Sequence, residues 1–294
     1  MPDCQIHPAD AKALTAGRHR LPSPRMNVWT TSWHACNLEN WFRGRHAFLV
    51  LSGPSLNDVD LSALSRRGIV SMGVNNSWLV HRPNLWLCVD TPNRFADVGW
   101  KDAGIVKFVP AEHARSRLRV SLGSGKFRTS QFRVDEMPST FAYRRVDYFD
   151  HRSFLDQPGV PWGCPSSVAD SLGMKGKRSC MQAAIAMLAY LGASTIYLVG
   201  ADFKMTSDRR YAFDEGRTAS AVRHNNVLFD SLNKRFHALR PHFAERGVRI
   251  LNTTADSGLD AFDHMPFDEA VDRASNEASK PVESAGWYEP VRKR

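Results

Sequence analysis

The residues of this chain best suited to chemistry stand just after short apolar runs. Ser52-Gly53-Pro54-Ser55 follows one run, Asn75-Asn76 a second, Asp90-Thr91 a third, Gly200-Ala201-Asp202 another, and Asn252-Thr253-Thr254 the last. Gly53 permits close approach of backbone to a ligand, Pro54 fixes the turn, and Ser55 offers a hydroxyl and an N–H, which together suit a phosphate. The alternative for Ser55 is a plain turn cap, and the loop is neither a GxxxxGK[ST] nor a GxGxxG sequence.

Two further segments carry charge. "KGKRSCMQAA" sets Lys175, Lys177, Arg178, Ser179 and Cys180 immediately before an apolar helix. A phosphate there would meet free N–H groups, the positive helix end and side-chain cations together, whereas the plainer alternative is a solvated basic surface. "VGADFKMTSDRRYAFD" holds Asp202, which could bind a metal or a ribose hydroxyl or simply cap a turn, and Tyr211, whose phenol could reach a phosphate or lie in the core. His224 is placed at the start of a helix, where the positive end would keep the imidazole neutral and fit it to act as a general base.

These groups need a scaffold that gathers strand ends. Apolar runs at 47–51, 69–73, 85–89, 105–109, 195–199 and 248–251 read as strands. Ser179 to Leu191 is apolar all round and reads as a buried helix, and Asn226 to Glu245 as an amphipathic one. The alternation predicts an α/β fold: a single Rossmann-like, doubly wound and mostly parallel sheet, with ligands at the carboxyl ends of its strands. Residues 1–44 read as an irregular arm, 45–273 as the domain, 274–294 as a polar tail, and 111–173 as a lid-like insertion.

The 294 residues carry a formal charge of +9, which favours polyanions or phosphorylated small molecules as partners. Five cysteines without a CxxC pair indicate neither a zinc knuckle nor a disulfide framework, and no run reaches the roughly 18 apolar residues of a membrane span. A cytoplasmic protein of a bacterial or virus-infected bacterial cell is expected.

The ordered set LVLSGPSL, GVNNSW, a strand ending in Asp90, RSCMQAAIAMLAYLGASTIYLVGADF, YAFD, a histidine and RILNTTADSGLDAF resembles the bacterial sialyltransferases of glycosyltransferase family 42. It is also similar to the MptE-like hydroxymethylpterin diphosphokinases, and the likeness runs from about Ala47 to Phe262. The resemblance implies nucleotide contacts at Gly53, Ser55, Asn75, Ser179 and Cys180, a phosphate-binding Tyr211, and His224 as catalytic base. Lys204 stands where the family has a first tyrosine and could neutralise a departing phosphate without relaying a proton the same way. Asp90 replaces an asparagine at the donor sugar and would repel a sialic acid carboxylate, which turns the expectation toward a neutral sugar. The one cofactor this pattern admits is Mg²⁺, at Asp90 or Asp202. The expected activity is glycosyl transfer from a nucleotide-sugar donor to a hydroxyl of a surface glycan or of a hydroxymethylated pyrimidine in DNA. The alternatives are Mg-dependent diphosphate transfer from ATP to a hydroxymethyl group and a non-catalytic nucleotide- or DNA-binding protein.

Overall fold

The computed structural model describes residues 28–123, 126–149, 151–165, 178–206, 211–213 and 218–278. Strands run in chain order as β1 (Val28–Thr30), β2 (His46–Val50), β3 (Val70–Val74), β4 (Leu85–Leu87), β5 (Val106–Pro110), β6 (Arg117–Gly123), β7 (Lys126–Arg133), β8 (Thr140–Tyr143), β9 (Arg145–Phe149), β10 (Val160–Pro165), β11 (Thr195–Val199), β12 (Arg249–Asn252) and β13 (Asp263–His264). The α-helices among the described residues are α1 (Asp97–Lys101), α2 (Cys180–Tyr190), α3 (Ala219–Glu245) and α4 (Phe267–Ala278).

Nine strands form one sheet in the order β1-β8-β5-β4-β3-β2-β11-β12-β13, parallel throughout except for β1 at its edge. From β2 the chain steps outward through β3, β4 and β5, then returns to place β11 on the other side of β2 and steps away through β12 and β13. The strand order therefore reverses between β2 and β11. Pairing of Val50 with both Val199 and Gly73 brings the carboxyl ends of β2, β11 and β3 to one level.

Both faces of the central strands are buried, which is why each reads as a continuous apolar run. Alternate side chains go to opposite layers: Ala47, Leu49, Ile196 and Leu198 pack toward α2 and α3, while Phe48, Val50, Tyr197 and Val199 pack toward α4. Helix α2 is apolar all round because the sheet covers one side and Leu232, Phe236, Leu239 and Phe243 of α3 pack in the same layer. A third cluster around Trp86, Trp100 and Phe95 receives Leu118 of β6 and Val134, and so anchors the β6–β7 hairpin.

The apolar runs locate six strands of the main sheet to within about two residues at each end, the usual scatter of such boundaries. Three features differ from the sequence reading. Val28–Thr30, within the expected irregular arm, pairs antiparallel with β8. The stretch 111–173 is not one insertion, since β8 runs in the main sheet between β5 and β1. Helix α3 begins at Ala219 rather than Asn226, capped by Thr218, whose hydroxyl accepts from the Ala221 N–H at 3.2 Å. Its first turns carry no apolar stripe from which to read a helix, and strands of three or four residues are too short to show a period.

Candidate functional site

The turn after β2 is held by a carboxylate. Asp202 is buried, and its Oδ2 accepts the Ser55 hydroxyl at 2.7 Å while Oδ1 accepts the Ser55 N–H at 3.3 Å. Ser55 is thereby turned onto Asp202 and away from the cleft, a correction to its expected contact with phosphate. Asp202 equally serves as a brace across the strand-order reversal. Gly53 is required by space: a Cβ there would stand 1.9 Å from Asp202 Oδ2 and 2.5 Å from the Gly200 carbonyl. Gly200 itself has φ +74° and Leu56 against it, so both partners of the turn depend on glycine.

Asn75 ties three elements together from a left-handed backbone conformation, φ 50°. Its amide carbonyl accepts from the N–H groups of Val89 (3.0 Å) and Asp90 (3.4 Å), and its NH₂ donates to Asp90 Oδ2 (3.3 Å) and Cys180 Sγ (3.1 Å). Its backbone carbonyl accepts from the indole of Trp86 at 2.8 Å. Asn75 therefore positions the ends of β3 and β4 against the start of α2, with its polar atoms committed within the protein. Asn76 occupies the same turn but does not line the cleft.

Asp90 is paired with Arg94, whose guanidinium donates to Oδ2 at 3.0 Å. Burial, and then the nearby charge of Asp90, push the Cys180 thiol up to about 12, so it is a neutral S–H under ordinary conditions. Cys88 and Tyr143, buried beneath it, are likewise held well above their usual ranges, chiefly by burial.

Helix α2 points its N-terminus at this floor. Ser179 is the N-cap, accepting the Gln182 N–H at 3.2 Å, which leaves the first N–H groups of the helix, on Cys180 and Met181, without intrahelical partners. Arg178 lies over the Trp162 ring at 4.4 Å, and Arg145 lies over the same indole at 4.1 Å. Asp147 accepts the Trp162 indole N–H at 2.9 Å and faces Arg178 at 3.5 Å. This stacking fixes the height of Arg178 at the cleft mouth. Lys177 lies outside the described residues.

The far wall comes from the segment after β11 and from α3. Phe203 has φ 50° and packs in a tilted arrangement against Phe229, ring centres 5.1 Å apart. Asn226 accepts from the Met205 N–H and donates to the Met205 carbonyl, each at 2.9 Å, pinning the segment to α3. Lys204 donates to the Asp256 carbonyl, and Tyr211 stacks on Phe213 at 5.4 Å.

Together these elements enclose a cleft of about 500 Å³ at the strand-order reversal. Of the residues predicted from sequence, Gly53, Pro54, Asn75, Asp90, Arg178, Ser179, Cys180, Asp202, Lys204 and Tyr211 line it. His224 does not. It is exposed in the second turn of α3, whereas Asn225 and Leu228 face the cleft. The helix begins five residues before His224, so the argument from the positive helix end is corrected: that effect fades within about one turn. Arg94 is missed from sequence, and only its nearness to Asp90 in the chain could have signalled it, while Asn225, which stands beside His224 at the expected helix start, carries no assigned role there.

The described residues contain no group of three His, Cys, Asp or Glu side chains able to hold a metal ion. With Asp202 committed to Ser55, Asp90 is the carboxylate that could join a Mg²⁺ ion brought by phosphates, since Mg²⁺ commonly takes one or two carboxylates plus phosphate oxygens. No helix among the described residues is long and apolar enough to cross a membrane. No family model, curated protein or solved structure matches this chain.

Proposed function

We propose that the chain is a glycosyltransferase, sialyltransferase-like and built on a Rossmann-like doubly wound sheet, which takes a sugar from a nucleotide-activated donor. The observation that carries this reading is the convergence on one cleft of the α2 N-terminus, Arg94, Arg178, Lys204 and Tyr211 where strand order reverses. That is where sheets of this kind bind ligands, and these groups suit a phosphate that gains charge as it leaves. The N–H groups of Cys180 and Met181 receive the phosphate, Arg178 and Lys204 balance its charge, and Tyr211 donates to one of its oxygens. The bond between the sugar carbon and the leaving phosphate breaks as the acceptor oxygen bonds to that carbon, and the acceptor proton passes to a base.

His224 is proposed as that base from the rim. It lies about 100° around the helix from cleft-lining Asn225, so an acceptor entering over α3 would pass it. The Arg94 pairing reduces the repulsion that Asp90 alone would present to an anionic sugar. The donor is thus chosen by shape and hydrogen bonds as much as by charge.

Incubation with nucleotide sugars, followed by chromatography of the released nucleotide, tests the reading. UDP, GDP or CMP released in an acceptor-dependent manner, and lost in His224→Ala, is the expected result. AMP release from ATP that stops in chelator would assign diphosphate transfer instead, and nucleotide binding without turnover in the wild type would leave a binding protein.

A further inference from the structure

A second concave surface lies beside the cleft, and its chemistry differs. The β6–β7 hairpin and the turn at Asn93 enclose a groove of about 470 Å³ whose charged side chains are Arg117, Arg119 and Arg128. All three are exposed, and none has a carboxylate partner among the described residues; Arg133, at the base of the hairpin, is by contrast neutralised by Asp135 and Glu136. Phe127 stands in the groove at 39% exposure with the Arg119 guanidinium 3.8 Å from its ring centre. Phe132 on the same strand is 46% exposed.

Arginines without carboxylate partners beside an exposed ring suit a flexible nucleic-acid strand: guanidinium groups for the phosphates and a flat face for a base. The hairpin is also firmly mounted. Leu118 and Val134 are fully buried in the tryptophan cluster, and Arg119 donates to the Asn93 carbonyl at 3.3 Å. Asn93 is adjacent to Arg94, which lines the nucleotide cleft, so the groove and the cleft are joined by one turn of chain.

We infer that the β6–β7 groove binds a single nucleic-acid strand and presents one of its nucleotides to the neighbouring cleft as the acceptor. Binding of the strand stands on the groove alone; its service as acceptor rests on the reading of the cleft as the donor site. A base within a duplex would have to be unpaired first, so single strands are the favoured form.

The test is fluorescence anisotropy of labelled oligo(dT), oligo(U) and a mixed-sequence duplex with the full-length protein across a series of salt concentrations. Wild type is expected to bind single strands with affinity that falls as salt rises. Arg117→Ala/Arg119→Ala/Arg128→Ala should weaken binding by tenfold or more and flatten the log–log salt slope by about 2, from roughly 0.7 per lost phosphate contact. Phe127→Ala should cost about tenfold through lost stacking, with little change of slope. Arg67→Ala/Lys234→Ala/Arg249→Ala, which removes equal charge from exposed positions outside both concavities, should bind as wild type.

Equal losses in the two triple variants would overturn the inference, as would an unaltered salt slope in the groove variant. Heparin that binds as tightly as the strands, with Phe127→Ala silent, would assign the groove to a sulfated polysaccharide and also overturn it. Nucleotide-induced stabilisation of the groove variant should match wild type, because none of its three sites lines the cleft. Strand binding without any nucleotide response would refute the donor reading alone, and a nucleotide response without strand binding would refute this one alone.

Discussion

Replacing Gly53 by alanine tests the architecture of the strand-order reversal most sharply. The new methyl would lie 1.9 Å from Asp202 Oδ2 and 2.5 Å from the Gly200 carbonyl, against an ordinary contact of about 3.5 Å or more. The carboxylate cannot retreat freely, because it holds the Ser55 hydroxyl and N–H. Overpacking of this kind costs about 1–3 kcal/mol, and weakening a hydrogen bond to a charged group adds about 1.5–3 kcal/mol. A loss near 3 kcal/mol is therefore expected, a fall in Tm of roughly 6–12 °C for a domain of this size. Urea denaturation followed by circular dichroism gives the number directly. In an Asp202→Ala background the same substitution should cost less, since the carboxylate no longer blocks it while the Gly200 carbonyl still does. Unfolding of Gly53→Ala within about 0.5 kcal/mol of wild type would refute the reasoning, because that is the range of an inconsequential surface change.

Other perturbations probe the floor of the cleft and the sheet edge. Asn75→Ala should destabilise by more than Asn75→Gly, by about 1 kcal/mol, because both lose the amide bonds while only alanine resists the φ of 50°; equal losses in urea titrations would contradict this. The thiol of Cys180, held up to about 12 against an ordinary 9.0, stabilises the fold below pH 9 and loses that contribution as pH rises from 9 toward 12. Cys180→Ala should therefore show a shallower alkaline loss of stability, and Cys180 should react sluggishly with iodoacetamide at neutral pH, as judged by peptide mass mapping. Lys107 runs the other way: burial lowers it from 10.5 to about 8, so the unfolded chain binds more protons between these values and this residue makes stability rise with pH there. Lys107→Met should erase that rise and destabilise by several kcal/mol, since the ammonium donates to the carbonyls of Asp102, Ile105 and Pro138.

Much of this site is legible from sequence because parallel strands buried on both faces write themselves as apolar runs, and polar residues that follow such runs must stand at the strand ends. Gly53, Asn75, Asp90 and Asp202 are found that way, Cys180 by its place before an apolar helix, and they do converge. Their division of labour is not legible. Asp202 and Asn75 have the residue types of ligand contacts, yet their partners lie 147 and 105 residues away in the chain, and only the fold shows them spent on Ser55 and Cys180. For His224 the residue type is legible but its setting is not: the polar first turns of α3 hide the true helix start, so the sequence points to a helix-end imidazole where the fold places an exposed one in the second turn, beside cleft-lining Asn225. In sequence the hairpin groove shows only as a basic concentration around Arg115 to Arg119, and its arginines form a groove only once Phe127 and Asn93 are set beside them in space.

Thermal denaturation in the presence of CMP, UDP, GDP, ADP and ATP, each with and without Mg²⁺ and beside the matching unphosphorylated nucleosides, tests the central claim that the cleft holds a nucleotide phosphate. A ligand at about 100 times its Kd adds roughly 2.7 kcal/mol to the native state, a shift of several degrees. The account predicts that at least one nucleotide raises Tm by that amount, that its nucleoside does not, and that Arg178→Ala abolishes most of the shift. No response to any nucleotide, or a response that Arg178→Ala leaves intact, would contradict it.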